Sequence, residues 1–425
     1  MDPAPDAPKP YTTYRGGSPP RRGRRRRRGG LILVILLLVV VAAAAAAVVM
    51  LKPFASGDGG GGAQQPAAQT ASTSASPSPS PAKTAPPRPA AVTITSGGDV
   101  IGGFAVSGVV ASMGSGLFKS IAPSFEKSDF GFVNLESPLT TGGDPQGWKD
   151  VVIKGNPALA PAMAKSGINV VTMANNHAGD MGDSGLLDSI RYCTKNGIAV
   201  VGAGRNLKEA QAGVVLKTRG SASGGASSGT ATRPARTAFL GFSDVLPVGY
   251  PATSTSPGTS PGRANLNAVK KNIRAAAKKA DYVVVGWHWN FEYKRAPSYL
   301  ESSEGKAAVD AGADLVIAAH PHLLDGVQAY HGGLIFYSLG NLVFSGFSGE
   351  TAQTVLVRAK VTPRSIDAQL IPVTISSSGV PTVTGGSTGQ SILQRVKSMS
   401  AELDTTVTIE GDRGYVHVKR KPKED

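Results

Sequence analysis

The sequence predicts an α/β protein in which strands of a sheet end on polar side chains gathered at one edge. Short apolar runs rich in β-branched residues, such as Ile168–Met173, alternate with longer segments of helical character. This is the pattern of strands buried beneath helices. Several runs stop at Asp, Glu, Asn or His, and Ile168–Met173 leads into Asn175, Asn176 and His177. Because open α/β sheets build their sites at the carboxyl ends of strands, we expect a functional site there.

Nearly half of the net charge of +15 lies ahead of this α/β region. Residues 1–30 contain eight Arg and one Lys against two Asp. No basic stripe interleaved with aromatic residues follows, so the sequence does not predict nucleic-acid binding. The single cysteine, Cys193, cannot form an internal disulfide and fits no metal pattern. Its apolar position in a helical stretch predicts a core residue.

A membrane-spanning segment is predicted at residues 31–51. These 21 residues, Leu31–Leu51, carry no charge, and a helix of that length crosses a hydrocarbon core of about 30 Å. Arginines in front of the segment place residues 1–30, a basic disordered segment, in the cytoplasm. The alternative is a cleaved signal peptide, although its apolar part usually has only about 7–15 residues. Both interpretations put the rest of the chain outside the membrane, so we expect a single-pass protein of the cell membrane with an extracellular main domain.

The remaining chain divides into a linker, a main domain and an extension. Residues 52–91 are rich in Gly, Ala, Ser, Thr and Pro, and such a segment buries too little apolar surface to fold, so a disordered extracytoplasmic linker is predicted. Residues 92–377 hold most of the predicted strands and helices. Residues 378–425 form a C-terminal extension with one short predicted helix at 391–403, a charged end and no recognisable site.

Within residues 92–377 the apolar runs predict strands in order, with helices at 185–195, 265–280 and 304–311. Two stretches rich in Gly, Ser, Thr or Pro, 217–236 and 248–262, predict surface loops, and a long loop such as the second is often a functional lid. The predicted strands lie at 92–99 ending on Asp99, 128–136 ending on Glu136, 168–173 before Asn175, 197–201, 237–242, 281–286 before His288, 314–319 before His320, and 334–339 before Asn341.

The polar residues at these strand ends are types that bind pairs of divalent cations such as Mn, Fe, Zn or Mg. Each has an ordinary structural explanation as well: a turn aspartate, a helix cap, a hydrogen-bonded core histidine or a surface His-Pro-His turn. However, four of the six histidines of the chain lie at the ends of predicted strands. Histidines with unrelated structural roles would not be expected to share this position. The candidate metal ligands are Asp99, Glu136, Asn176, His288, His320 and His322.

Five sequence blocks carry a family resemblance: GGDV at 97–100, NLESPL at 134–139, ANNHAGDMG at 174–182, GWHWNFEY at 286–293 and AAHPHLLDGVQAYHGGLIFYSLGN at 318–341. Together they resemble the CapA family, the poly-γ-glutamate capsule biosynthesis proteins of the calcineurin-like metallophosphoesterase superfamily. The resemblance covers residues 92–377. It implies a four-layer α/β/β/α sandwich, with two sheets face to face, helices outside and the site at the carboxyl edge of the sheets.

The resemblance also implies roles for individual residues. His177 matches a histidine near the scissile group and is the candidate catalytic residue. Asn134, Asp180, Glu292 and Asn341 are expected to support the ligands or contact substrate. The implied metal ligands are Asp99 as the first-motif aspartate, Glu136 as the bridging carboxylate, Asn176 as an amide ligand, His288 as a lone histidine, and His320 and His322 as paired histidines.

Two positions depart from the superfamily pattern. A histidine usually follows the first aspartate by two residues, and this chain has Ile101 there. One cation therefore loses a ligand, which predicts weak or absent binding of a second ion. The bridging position holds Glu136 rather than Asp, and its longer side chain alters the spacing of the two cations. These departures weaken the prediction of catalysis and leave the family resemblance unchanged.

The resemblance implies biosynthesis or export of a poly-γ-glutamate-type capsule or cell-envelope polymer, beside membrane-bound polymer-synthase subunits. Two alternatives stay open. The ligand set suits a metal-dependent phosphoesterase or hydrolase with an extracytoplasmic substrate. The basic stretch Lys270–Lys279, in a predicted helix, suits a non-catalytic subunit that binds an anionic polymer, although an ordinary solvated helix face carries the same pattern.

Overall fold

The structure is a computed structural model that describes residues 87–218, 232–295 and 297–421. The predicted cytoplasmic segment 1–30, the predicted span 31–51 and most of the predicted linker lie outside these ranges. Within them, no helix combines the length and the apolar character needed to cross a bilayer. The described residues form a mixed α/β fold rich in sheet, as the sequence predicts.

The strands, numbered along the chain, are β1 (Arg88–Pro89), β2 (Val92–Val100), β3 (Phe130–Leu135), β4 (Val170–Thr172), β5 (Ala199–Val201), β6 (Ala203–Gly204), β7 (Val214–Lys217), β8 (Thr232–Arg233), β9 (Arg236–Ser243), β10 (Gly258–Thr259), β11 (Tyr282–His288), β12 (Leu315–Ala319), β13 (Val327–Tyr330), β14 (Gly333–Phe336), β15 (Asn341–Val343), β16 (Gln353–Val361), β17 (Ser365–Ile375), β18 (Pro381–Val383), β19 (Thr408–Glu410) and β20 (Arg413–Lys419).

The α-helices are α1 (Phe104–Met113), α2 (Ala122–Glu126), α3 (Leu159–Lys165), α4 (Gly182–Lys195), α5 (Leu207–Ala212), α6 (Leu266–Ala277), α7 (Tyr299–Asp310) and α8 (Gly386–Ala401). Short 3-10 helices span Gly114–Phe118, Arg263–Asn265 and Gly349–Ala352.

Helix α7 begins five residues before its predicted start at 304, and the sequence contains the reason. Ser298 accepts a hydrogen bond from a backbone amide of the first turn, while the Glu301 side chain accepts one from the Ser298 amide. This reciprocal capping box satisfies amides that a helix start otherwise leaves unpaired. The Ser-x-x-Glu spacing at 298–301 was therefore a start signal that apolar periodicity alone did not reveal.

Two large sheets dominate the fold. The first has ten strands, with the order β19-β20-β17-β16-β2-β3-β4-β5 and with β15 beside β2 and β18 beside β17. The second has six strands in the order β13-β14-β12-β11-β9-β7. In each sheet the central strands are parallel, β2 to β5 in the first and β9, β11, β12 and β14 in the second. Parallel neighbours need crossover connections, which the intervening helices and loops supply.

The two sheets pack against each other through a shared apolar core, and helices cover their outer faces. Strand β11 shows the alternation: Tyr282 and Val284 belong to the core between the sheets, whereas Val283 and Val285 pack with residues of α6 and α7. Successive side chains of a strand point to opposite faces, so each central strand serves two cores. A third cluster joins the outer face of the first sheet to α1–α4 and includes the buried Cys193.

The C-terminal residues contribute to these cores. Strands β18, β19 and β20 all pair within the first sheet. From α8, the buried side chains of Ile392, Leu393 and Val396 belong to the core between the sheets. Helix α8 is also longer than predicted and begins at Gly386 rather than 391.

Two glycines let the sheets approach each other closely. Gly241 of β9 and Gly286 of β11 are register partners in the second sheet. A Cβ atom on Gly241 would lie 2.4 Å from the Thr172 hydroxyl oxygen, and one on Gly286 would lie 2.7 Å from Phe132 Cζ. Thr172 and Phe132 belong to the first sheet, so a side chain at either glycine would push the sheets apart.

We expect Gly286→Val to lower the free energy of unfolding by about 1–3 kcal/mol, the usual effect of overpacking a core. Urea denaturation of both proteins measures the difference. Gly108→Ala in α1 is the control, since a Cβ there meets nothing within 4 Å. It should leave stability unchanged or raise it by up to about 1 kcal/mol, the helix preference of Ala over Gly. Equal stability of wild type and Gly286→Val would contradict the close contact.

Candidate metal centre

The carboxyl ends of central strands from both sheets meet at one edge, and the candidate ligands lie together there. All are buried except Asn176, which is half-buried. Asp99 lies on β2 and His288 on β11, whereas Glu136 follows β3, Asn176 follows β4, and His320 and His322 follow β12.

A register shift in β2 directs Asp99 into this edge. The pairing of β2 with β3 is regular up to Ser96, shifts, and resumes with Asp99 opposite Asn134. Gly98 lies in the shift, where a Cβ atom would be only 1.8 Å from the Gly340 carbonyl oxygen. The Asp99 amide donates to the same carbonyl at 2.9 Å. The glycine before Asp99 is therefore required for β2 to pass Gly340.

Two groups of potential ligands share Glu136. One contains Glu136, His288 and His320, and the other contains Asp99, Glu136 and His322, with ligand atoms within 4.8 Å of one another in each group. Among the described residues, four buried atoms here have no hydrogen-bond partner: Asp99 Oδ2, both Glu136 carboxylate oxygens and His320 Nδ1. Buried polar atoms are rarely left unpaired. Carboxylate oxygens and imidazole nitrogens are the donors that divalent metals use, so this set fits a metal site.

His288 faces this site although it lies between two tryptophans in the sequence. Trp287 and Trp289 belong to the outer core beside α6 and α7, so the alternation of the strand turns His288 the other way. His288 Nε2 lies 2.8 Å from Asn176 Oδ1 and 3.5 Å from Glu136 Oε1. With no ion bound, Nε2 carries the proton that is donated to the Asn176 amide oxygen. Nε2 and this oxygen are both ligand types and are close enough to bind one cation together once Nε2 has lost its proton.

A chain of side-chain amides fixes these orientations. Asn134 Nδ2 donates to Asp99 Oδ1 at 2.8 Å and lies 3.3 Å from His288 Nδ1. Asn134 Oδ1 accepts from Asn175 Nδ2 at 3.0 Å, and the same nitrogen donates to the Leu135 carbonyl at 2.8 Å. Each amide thus has its oxygen and nitrogen assigned by a neighbour. Asn134, predicted as a supporting residue, links Asp99 to His288.

His322 is held in the same way by Asn341. Asn341 Nδ2 donates to the Thr351 carbonyl at 2.9 Å, which turns its oxygen toward His322 Nδ1 at 2.8 Å. The proton of His322 therefore lies on Nδ1, and the lone pair lies on Nε2. A histidine that donates through one nitrogen and offers the other is the usual form of a metal ligand.

The backbone is strained where the paired histidines stand. His320 has a φ of 104° and His322 a φ of 55°, in the region that side chains other than glycine rarely adopt. Such conformations cost about 1–3 kcal/mol each and concentrate at functional sites. The strain at both histidines supports a functional role for this turn.

Burial and neighbouring charges set the protonation of the site. Burial, aided by the neighbouring imidazoles, lowers the pKa of His288 and His320 well below the ordinary range. Both are therefore neutral, as metal binding requires. Burial and the charge of Asp99 raise the pKa of Glu136 well above its ordinary value. Burial alone would lower the pKa of His322, but the neighbouring Asp99 carboxylate raises it.

His177, the predicted catalytic residue, belongs to a buried hydrogen-bond network. Its Nδ1 lies 2.7 Å from Asp180 Oδ2. The fully buried Asp180 carboxylate also pairs with Lys149 and accepts from the Tyr250 hydroxyl at 2.8 Å. Burial lowers the pKa of His177. Burial would raise the pKa of Asp180, but His177 and Lys149 hold it below its ordinary value.

Sequence reasoning missed Lys149 and Tyr250. Lys149 Nζ donates to the Asn176 carbonyl at 2.7 Å and lies 3.2 Å from His177 Nδ1. Neither residue follows a strand, and strand ends were the positions that the sequence argument searched. Tyr250 does lie in the stretch 248–262, which the sequence marks as a possible lid.

Two further positions complete the predicted site. Glu292 follows β11 and is half-buried, near enough for its charge to raise the pKa of Glu136 and His322. Ile101, at the position where the superfamily usually has a histidine, is fully buried in the core beneath α1–α4. It therefore lies on the helix side of the first sheet.

We expect Lys149→Met to weaken the pH dependence of stability in acid. A carboxyl whose folded pKa is depressed adds stability above its unfolded pKa of about 3.9, and this is lost as pH falls through the folded value. Without Lys149 the depression of the Asp180 pKa is smaller, so stability rises less with pH across that window. Urea midpoints between pH 2 and pH 6 measure the effect. Lys154→Met is the control, because Lys154 is exposed and donates to the Thr141 carbonyl; identical profiles for wild type and Lys149→Met would refute the coupling.

Comparison with known proteins agrees with the sequence blocks. The model of the family "Bacterial capsule synthesis protein PGA_cap" matches residues 93–346, more than half of the chain. A capsule biosynthesis protein CapA of Bacillus anthracis is 33% identical over 63% of this chain and 63% of its own length. A PGA biosynthesis protein CapA of Bacillus subtilis is 32% identical over 61% of this chain and 65% of its own.

A protein of Mycobacterium tuberculosis, named as a polyglutamine synthesis accessory protein, is 26% identical over 59% of this chain and 67% of its own length. The matches thus span slightly less than two thirds of the two Bacillus proteins. The resemblance predicted from the five sequence blocks is confirmed. The chain belongs to the bacterial capsule synthesis protein family PGA_cap, the family of the CapA-type proteins.

Proposed function

We propose that this chain is a membrane-anchored, extracytoplasmic protein for the biosynthesis or export of a polyglutamate-type capsule or cell-envelope polymer, with a divalent-metal site. The observation that carries the metal site is the pair of buried ligand groups sharing Glu136, with four unpaired donor atoms. The two packed sheets with outer helices support a four-layer metallophosphoesterase-like sandwich. The anchor is the predicted span 31–51, which would hold the domain beside membrane-bound synthase subunits.

The residues present define how such a site would act. Asp99, Glu136 and His322 would hold one cation, and Glu136, His288 and His320 the other, with Asn176 beside His288. Bound divalent cations supply a hydroxide at neutral pH and polarise a phosphoryl or carboxyl oxygen. His177 turns Nδ1 toward Asp180, so Nε2 is the atom free to meet a substrate. In its protonated form, which the Asp180 carboxylate favours, His177 would protonate the leaving oxygen there or stabilise its charge.

Metal binding is the first test. The purified full-length chain in detergent should bind Mn, Fe, Zn or Mg, and His320→Ala should weaken binding by at least about 10-fold, since even residues behind metal ligands have that effect. Metal content after dialysis and titration calorimetry measure this. His331→Ala is the matched control, because His331 is exposed and pairs with Asp310. A metal-free wild type, or equal metal affinity in all three proteins, would refute the site.

Turnover is the second test. If the site is catalytic, the wild type should cleave a chromogenic phosphodiester or a γ-linked glutamate oligomer in a metal-dependent way. His177→Ala should lower kcat by about 10²–10⁴-fold, the usual contribution of a general acid or base. Its metal content should stay at the wild-type level. Loss of metal together with activity would assign His177 to the metal site instead.

A non-catalytic polymer-binding subunit is the second candidate, and α6 supports it. Val269 and Ile273 bury one face of this helix. Among the described residues, no carboxylate forms an ion pair with the cations of its other face or of the turn after it: Lys270, Lys271, Arg274, Lys278 and Lys279. Such a subunit would bind an anionic polymer, and its affinity would fall as the salt concentration rises. It would catalyse no reaction.

A further inference from the structure

A second concave site lies on the outer face of the first sheet, formed by residues other than those of the candidate metal centre. It is an open cleft of about 280 Å³, called here the basic cleft. Its lining residues are Ser120, Pro123, Ser124, Lys127, Arg358, Gln369, Ile371, Val383 and Arg413.

The basic cleft forms where the helical cover of the sheet ends. On β16, Leu356 packs in the core beneath α1–α4, and Arg358 follows on the same face of the strand. Arg358 pairs in register with Gln369 of β17, which pairs with Tyr415 of β20. Ile371, two residues after Gln369, adds an apolar floor. The cleft therefore offers apolar surface below and polar groups around it.

The cations of the basic cleft form no ion pairs with described residues. Among the lining residues there are three cations and no carboxylate. Throughout residues 87–218, 232–295 and 297–421, none of Lys127, Arg358 and Arg413 forms an ion pair. Arg358 donates one weak hydrogen bond, 3.3 Å to the Lys127 carbonyl, and its Nε is buried with no partner among these residues. A guanidinium in this setting gains most from a carboxylate that it can bind through two parallel hydrogen bonds.

We propose that the basic cleft binds a short segment of an amide-linked polymer that carries free carboxylates. Arg358 and Arg413 each take a carboxylate, and methylene groups of the polymer lie on Ile371 and Val383. Gln369 Nε2 donates to the Tyr415 hydroxyl at 3.2 Å, which leaves its Oε1 to accept from an amide of the polymer. This inference rests on the proposed role in polyglutamate-type polymer biosynthesis and names where the chain holds the polymer.

The basic cleft differs from the basic face of α6 in a way that predicts different binding. The cations of α6 and of the turn after it lie on the outer side of a helix whose other face is buried, and all except the half-buried Lys270 are exposed. Those of the cleft lie around the apolar side chains of Ile371 and Val383, and Arg358 and Arg413 are half-buried. Exposed charges attract any polyanion weakly, whereas a walled site with amide and carboxylate partners selects among polyanions.

The test compares two variants that each remove two positive charges from the full-length chain in detergent. Arg358→Gln/Arg413→Gln alters the basic cleft, and Lys270→Gln/Arg274→Gln alters α6. The probe is a fluorescein-labelled γ-linked glutamate decamer, followed by fluorescence anisotropy at about 0.15 M salt, where long-range attraction is screened within about 8 Å. The cleft variant should raise the Kd at least about 10-fold, and the α6 variant less than about 3-fold.

Equal losses in the two variants, or an unchanged Kd in the cleft variant, would overturn the proposal. The proposal would also fail if inorganic polyphosphate displaced the probe as effectively as unlabelled glutamate decamer does. It would fail too if the wild type did not bind the probe. If the double variant fails to fold, Arg413→Gln alone is used. The Arg413 guanidinium donates to the carbonyl of the adjacent Asp412, so removing it breaks only a local contact. Metal content stays at the wild-type level in the cleft variant, so failure here leaves the metal test of the proposed function standing.

Discussion

Two carboxylates buried side by side are the constraint on which the site depends. Asp99 and Glu136 are both fully buried, and the charge of one raises the pKa of the other. Two like charges in a medium of low dielectric repel strongly, and buried charges persist only when they are paired or bind metal. His288 and His320 beside them are neutral and cannot balance the charge, and only the imidazole of His322 has its pKa raised by Asp99. A pair of buried carboxylates in this setting fits a bound cation.

The surrounding polar groups serve that constraint by fixing geometry. Asn134 and Asn341 each orient one histidine, and the Asp180 carboxylate orients His177. The supporting groups lie on β3, on β15 and after β4 of the first sheet, whereas His288 and His322 lie on β11 and after β12 of the second. The geometry of the site therefore depends on how the two sheets pack against each other. A preformed donor set of this kind loses little ordering entropy when it binds a ligand.

The sequence predicts the fold class and the family because both leave local signals. Apolar runs such as Ile168–Met173 and the five blocks are visible in one dimension. The roles of the strand-end residues remain predictions, although the structure brings those residues together. The sequence did not predict Lys149 and Tyr250 as site residues. Tertiary folding brings these loop residues to the site, and hydrophobic periodicity contains no information on that. The positive φ of His320 and His322 escaped for a related reason, since the surrounding fold imposes it.

The pairing of β2 with β16 has a consequence for how the chain matures. Ser96 lies opposite Val357, so the neighbour of the first long strand is made more than 250 residues later. Contacts so distant in sequence form slowly, and until they form β2 presents an unpaired edge to other chains. A nascent polypeptide that emerges amino end first therefore keeps this edge open through most of its synthesis. This edge therefore favours aggregation until β16 has been made and has paired with β2.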